Sequence, residues 1–422
     1  MTTYTALIVG GGAAGLAAAR RLHDAGERVL VLEARNRIGG RVDTDYLWDG
    51  FPLERGAEFI HGENAVTHDL VRQAGLDVIP VVRMDNLWWS DGQTPARHRD
   101  TLPPALRETI NRLLTDYAAL EQANLPTDIS LADYLRGRGW TGDDLHMADV
   151  LLAQTCCAAL ETLSCADLRR EMQLDHAGYD EARIRHGYGA LLQWYSRDLP
   201  IRLNTPVETI QWSPSGVTVY AGTEVFNARH CIITVPVSLL QAGTIRFDPP
   251  LPEEKRRAIA AFRVEAATKL VYRFQEQVWG DDLTYMAHTG TVARWWTPDY
   301  KRGQLPVIAA YLTAERARTV DTLPEDAALA LGLQELSTLL GIQQPDLQRM
   351  LISGKRISWA TDPLARGGYA HLPPGAADAR PLLAASVDGD VLHFAGEATA
   401  YDTNPQTVHG AIESGWRTAQ SL

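Results

Sequence analysis

The stretch that most restricts the fold is YTALIVGGGAAGLAAARRLHDAGERVLVLEARN at the amino terminus. Leu7, Ile8 and Val9 form a short apolar run without alternation, the pattern of a parallel strand covered on both faces. Gly10, Gly12 and Gly15 follow at G-x-G-x-x-G spacing, and a helix is predicted from Ala13 to Ala25. The first glycine allows a tight turn, the second lets backbone approach a pyrophosphate, and the third lets the helix pack on the sheet. The free N–H groups of the helix start then point at the phosphates. A second apolar strand, Val29–Leu32, ends in Glu33, an acid placed to accept hydrogen bonds from an adenosine ribose. The unit commits the chain to an α/β fold with a dinucleotide site, and leaves NAD and FAD undivided.

The chain has 422 residues, 45% of them hydrophobic, enough for a sizeable core and for two or three domains. No apolar run approaches the roughly 20 residues that cross a bilayer, and Leu7–Val9 is too short for a secretory segment. A soluble, cytoplasmic protein without a membrane partner is the expectation. Cys156, Cys157, Cys165 and Cys231 show neither C-x-x-C nor zinc-type spacing, so no metal site is expected and the thiols read as reduced. The net charge of -12, from 40 basic and 52 acidic residues, argues against nucleic acid as a partner. It suits a cationic ligand, and equally suits plain solubility.

Beyond Glu33 the chain continues Ala34, Arg35, Asn36, Arg37, Ile38, Gly39, Gly40, Arg41, with three arginines beside the expected pyrophosphate. This resembles the E-A-x-x-R-x-G-G-R extension of FAD-dependent amine oxidases. The carboxy-terminal stretch VLHFAGEATAYDTNPQTVHGAIESGW resembles that family's ending, F-A-G-E-x-T followed by V-H-G-A-x-x-S-G. The polyamine oxidase and lysine demethylase branch is the nearest match. The resemblance implies a discontinuous Rossmann-type FAD-binding domain of the glutathione-reductase-2-like kind, made of residues 1–80, 186–248 and 364–422. An α+β substrate domain would come from 81–185 and 249–363, the first of these largely helical, with Leu106, Ile110, Leu113 and Leu114 at helical spacing.

The same resemblance implies the cofactor contacts. Gly10, Gly12, Gly15, Glu33, Ala34, Arg35, Gly40 and Arg41 would hold the dinucleotide, and Val207 would lie against the adenine. A strand at Val391–Phe394 would lead to Gly396 and Glu397, with Glu397 near ribityl or phosphate groups; as an isolated residue it could equally be a surface acid. A helix beginning near Thr407 and Val408 would point its N-terminus at the pyrimidine side of the flavin. Gly56, Ala57 and Glu58 would pass close to the ring. No cysteine occurs from Ser358 to Gly375, where monoamine oxidases attach flavin, so FAD is expected to be noncovalent.

ATKLVYRF, Ala267–Phe274, alternates like a strand with Lys269 and Arg273 on one face. By itself this is a half-buried strand with two solvated cations. In the family a matching lysine hydrogen-bonds, through a water, to flavin N5, and Lys269 is expected to do the same. His61, in GAEFIHG, matches the histidine that polyamine oxidases place at the substrate amine, although a capped turn histidine would look alike. Phe59 and Ile60 stand where amino-acid oxidases carry an arginine for a carboxylate. The stretch SWATDPLARGGYAHLPPG implies Trp359 near the ring, with Tyr369 or His371 on one substrate wall. Thr407 stands at the place of a second tyrosine, so a complete aromatic cage is not expected. Trp295 and Trp296 could line the cavity or sit in the core, and Glu171 and Asp175 could meet a distal ammonium.

The implied activity is oxidation of a small amine, polyamines foremost, with hydride passing to flavin N5 and dioxygen reoxidising the flavin to give hydrogen peroxide. Monoamine oxidation, a desaturase on the same fold, and a flavin-bearing scaffold are the alternatives.

Overall fold

The computed structural model describes residues 3–46, 48–387 and 391–422. Its central sheet is built on Thr3–Val9, which pairs in parallel with Val29–Leu32 on one side and with Glu224–Ile233 on the other. Leu392–Phe394 joins in parallel beside Glu224–Ile233, so the two ends of the chain share one sheet. Ile201–Arg202 extends the opposite edge, and Thr209–Ser213 and Gly216–Ala221 form an antiparallel hairpin.

The unbroken apolar run has its expected cause. Ala6 and Ile8 face one hydrophobic cluster, Leu7 and Val9 another, and all four are nearly inaccessible to water. The first helix, Ala13–Asp24, ends one residue before the sequence expectation and packs against the last, Val408–Gln420. Two glycines permit those approaches. A Cβ on Gly15 would sit 2.0 Å from the Gly10 carbonyl oxygen, and one on Gly415 would sit 2.3 Å from that of Ala14.

A second sheet has the order Leu351–Ser358, Ala267–Phe274, Val307–Thr313, Arg294–Trp296, Tyr285–His288, Leu87–Ser90, Arg97–His98. Here the alternation of ATKLVYRF misleads, because both faces of the strand are covered. Leu270, Tyr272 and Phe274 enter a cluster with Leu333 and Leu336 of the Glu325–Leu340 helix. Val271 packs with Phe51, Leu53, Phe59 and Trp296 on the other face, and Lys269 on that face is only 3% exposed. Arg273, nearer the strand end, reaches Asp49.

Between 81 and 185 helices predominate, among them Pro104–Ala118, Asp143–Leu151 and Cys165–Leu174. Ile110 and Leu113 are fully buried, with Leu106 and Leu114 at the margin of the same cluster. Full burial of Ile110 or Leu113 contributes roughly 1.5–3 kcal/mol by removing it from water. A small antiparallel sheet, Ile60–His61, Glu181–Ile184 and Val78–Val81, ties this region to the loop after Gly56. Among the described residues no helix is long and apolar enough to cross a membrane.

Candidate active site

A cavity of about 590 Å³ runs from Gly10, Gly12 and Glu33 at the glycine turn to His61, Glu171 and Tyr369. At its first end Glu33 Oε2 accepts from the Gly11 N–H at 2.6 Å, and Oε1 from that of Arg35 at 2.8 Å. These bonds aim the carboxylate and leave lone pairs for a ribose. Gly12 begins the first helix without a side-chain cap, so the first-turn N–H groups remain for an anion. Ala34, Arg35, Gly40, Arg41, Gly56, Ala57, Glu58, Val207, Trp359, Gly396, Thr407 and Val408 line the same cavity.

Glu397 carries the test of whether a flavin dinucleotide fits. Its Oε1 accepts from Arg41 Nη1 at 3.0 Å and from the Ala370 N–H at 3.2 Å. Its Oε2 is buried with no hydrogen-bond partner among the described residues. A buried carboxylate oxygen without a donor is costly, and a cofactor hydroxyl at this wall would supply one. The residues therefore fit the group.

The three arginines do not form one phosphate cluster. Arg35 makes a two-pronged pair with Asp362 at 3.0 and 2.7 Å, and Arg41 holds Glu397 and the Gly368 carbonyl. Arg37 donates to the carbonyls of Ile38, Gly40 and Val42 and is not among the lining residues. It braces the loop. Thr407 caps the last helix by accepting from the Gly410 N–H at 2.9 Å, and Trp359 donates to the Arg55 carbonyl at 2.9 Å.

Lys269 is committed more fully than its sequence implied. Nζ reaches the Glu54 carbonyl at 2.8 Å, the Gly56 carbonyl at 3.0 Å and Glu58 Oε2 at 2.9 Å. An ammonium has three donors, and all three have protein acceptors. The expected bridge to a flavin through water therefore needs one of these bonds to be exchanged. Glu58 Oε1 lies 2.9 Å from Nε of Arg183, itself 1% exposed, and Trp296 Nε1 donates to Glu58 Oε2 at 2.9 Å. Burial pushes the Glu58 carboxyl up, but Lys269 and then Arg183 outweigh it and hold the group down at about 2. Glu54 has no such ion pair among the described residues: burial raises it to about 7 against the Tyr188 N–H and the Thr44 hydroxyl that it accepts from.

His61 faces Glu181 across the small sheet, with Nδ1 2.8 Å from Oε1. Arg83 makes a two-pronged pair with the same carboxylate. Burial would raise Glu181, yet Arg83 and the His61 bond hold it well below the usual range. A carboxylate at Nδ1 fixes that nitrogen as a donor, which leaves Nε2 as the one free to meet a ligand.

The opposite wall is aromatic. Tyr369 donates to the Thr155 carbonyl at 2.8 Å, and Tyr311 donates to the Tyr369 hydroxyl at 3.1 Å. Trp296 lies 5.8 Å from Tyr311, ring centre to centre, and lines the cavity. Trp295 points the other way, into the cluster with Tyr272. His371 is buried against Thr162 and is not among the lining residues, so of the two alternatives Tyr369 forms the wall.

Glu171 and Asp175 both line the cavity. Asp175 accepts from the Ala177 N–H at 2.8 Å. Glu171 is half-buried, and among the described residues it has neither a hydrogen-bond nor an ion-pair partner. Burial first, and then Asp167, raise its carboxyl to about 7.

Sequence reasoning missed Arg183, Glu181, Tyr311 and Arg294. Tyr311 had a signal, since it is the lone hydroxyl among the apolar positions of VIAAYL and sits opposite Lys269 in register. Arg294 had one too: in ARWWT it shares a face with Trp296. Glu181 had none, because its partner is 120 residues away.

Comparison with known proteins finds relatives by sequence and by fold. Human lysine-specific histone demethylase 2 is 29% identical over 446 residues, covering 99% of this chain and 53% of that one. The chain thus spans about half the length of that relative. Polyamine oxidase 4 of Oryza sativa subsp. japonica is 29% identical over 97% of this chain and 86% of its own. A solved structure of wild-type putrescine oxidase bound to putrescine has a TM-score of 0.84 at 22% identity, covering 100% of this chain and 99% of that one, a likeness of fold. The family model for flavin containing amine oxidoreductases matches residues 13–422, which span the glycine turn's helix, the lysine strand and the closing helix. On that match the chain belongs to the flavin containing amine oxidoreductase family.

Proposed function

We propose that this chain oxidises aliphatic amines, polyamines foremost, using noncovalently held FAD and dioxygen. Gly10, Gly12, Glu33 and Val207 would hold the adenosine half, with Gly15 keeping the helix close behind the turn, and with Arg41, Gly396 and Glu397 beside the ribityl chain. Gly56, Ala57, Trp359, Thr407 and Val408 would bound the ring. A flavin bound there supplies hydride removal from the amine α-carbon, so that the imine is hydrolysed to aldehyde and amine and dioxygen leaves as hydrogen peroxide.

The protein's own part is to bind, orient and manage protons. His61 presents Nε2 to the substrate nitrogen, which has to be neutral when its neighbouring C–H bond breaks. Tyr369, Tyr311 and Trp296 exclude water and lie alongside the alkyl chain. Lys269, held by Glu58, keeps a fixed positive charge near the reacting end, where negative charge grows on reduction. The observation that carries the polyamine reading is Glu171: a half-buried acid without a partner among the described residues is suited to a second ammonium, whose arrival would favour its ionised form.

The test is peroxide release across spermine, spermidine, putrescine, N-acetyl polyamines, monoamines and amino acids. Faster turnover of amines with a second cationic centre supports the reading. Turnover of monoamines alone would keep the reaction and discard the polyamine, and silence on every amine would overturn both.

A further inference from the structure

Three arginines are almost wholly buried among the described residues: Arg183, Arg294 and Arg380. Arg183 faces Glu58, and Arg380 faces Asp167. Arg294, at 3% exposure, has no carboxylate within ion-pair distance among the described residues, yet it lines the substrate cavity. Its Nε donates to the Tyr285 hydroxyl at 3.0 Å, and Nη1 is buried with no hydrogen-bond partner among the described residues. Its guanidinium carbon lies 5.6 Å from the Tyr285 ring centre and 5.9 Å from that of Tyr311.

A guanidinium cannot escape burial by losing its proton, so an unpaired one is an unfinished interaction. Its planar fork is the shape that grips a carboxylate through two parallel bonds. Arg294 and Trp296 occupy alternate positions on one strand, and Trp296 touches both Tyr311 and the lysine site. Two residues along a strand are roughly 7 Å, so the fork stands a few bond lengths beyond the reacting end.

We propose that Arg294 receives a carboxylate carried by the amine substrate, so that among the amines this cavity takes those that also bear a carboxylate, a diamino acid or a carboxylated polyamine, are held best. The proposal rests on the amine-oxidase reading above and sharpens its substrate class. With Glu171 lining the same cavity, the site matches a ligand bearing both signs of charge. The sequence expectation placed carboxylate recognition in the GAEFIHG loop and found no arginine there; the fork comes from a different strand.

The test compares free lysine with 1,5-diaminopentane, which differ by one carboxylate, on the flavin-loaded full chain, with hexanoate as competitor. The expected result is a KM for lysine at least tenfold below that for the diamine, with hexanoate competing against either. In Arg294→Gln the KM ratio falls towards one and hexanoate ceases to compete, while Arg294→Lys, which keeps charge but not the fork, keeps only part of the preference. Equal KM values in the native protein, or no competition by hexanoate, would overturn the proposal, and these two readings stand even if neither variant folds. An equal loss for both substrates in Arg294→Gln would also overturn it. If no amine is oxidised, the amine-oxidase reading falls separately, and perturbation of the bound flavin's spectrum by hexanoate, present or absent, still decides the role of Arg294.

Discussion

The ammonium of Lys269 and the carboxylate of Glu58 lie 2.9 Å apart, both nearly closed to solvent, with Arg183 on the carboxylate's other oxygen. Removing the carboxylate strands two buried cations, a change that typically costs about 3–5 kcal/mol. Glu58→Gln is therefore expected to lower unfolding free energy by about 3 kcal/mol in a urea titration. Lys269→Met leaves Glu58 its arginine, so it should fold and keep flavin but slow flavin reduction or reoxidation. Stopped-flow traces with both half-reactions unchanged would remove the role given to the lysine.

Glu54 makes a pH prediction of opposite sign to the usual acid. Its carboxyl is raised from 4.5 to about 7 by burial, so the folded state holds a proton that the unfolded state has already lost. Stability from this group is present below about pH 4.5 and declines as pH rises towards 7. Glu54→Gln removes that dependence. Its Tm relative to the native protein should be higher at pH 8 than at pH 5, and a difference that is flat or reversed contradicts the burial argument.

His61 and Glu181 separate a ligand contact from a structural one. His61→Ala leaves Glu181 its arginine, so it should cost little stability and lower kcat/KM for amines by about tenfold, the loss of one hydrogen bond. Glu181→Ala leaves Arg83 without its carboxylate and should cost about 3 kcal/mol of stability. Thermal melts alongside steady-state kinetics distinguish the two patterns.

Glu171→Gln keeps shape and removes charge. The KM for spermidine should rise about tenfold, while that for a simple monoamine should change little, since one charged contact contributes roughly 1.5–3 kcal/mol. Equal effects on both substrates would show that the acid serves the wall and not a second ammonium.

What the sequence revealed, and what it withheld, divides by range. The strand, glycine turn, helix and Glu33 were readable because each is decided by neighbours within a few residues, and Leu7 to Val9 are buried on both sides as their unbroken run implies. ATKLVYRF shows the limit: alternation foretold one wet face, but the loop carrying Glu54, Gly56 and Glu58 covers Lys269 from over two hundred residues away. The loop sequence implies a cofactor contact at Glu58, and only the fold shows it as the counter-charge of Lys269 and Arg183. Arg37 was grouped with its neighbours by spacing, whereas its side chain turns back onto its own loop. The pairing of Glu181 with His61 depends on strand register, which spacing alone does not convey.

The central claim is that the cavity joining the dinucleotide cradle to the Lys269, His61 and Tyr369 wall delivers an amine to a flavin. The most direct measurement is anaerobic mixing of the purified, flavin-loaded protein with spermidine, putrescine and free lysine while flavin absorbance is followed. Bleaching by at least one of them is expected, faster as pH rises towards the amine's ionisation at ~10.4. Flavin that stays oxidised with every amine, across neutral to alkaline pH, would contradict it.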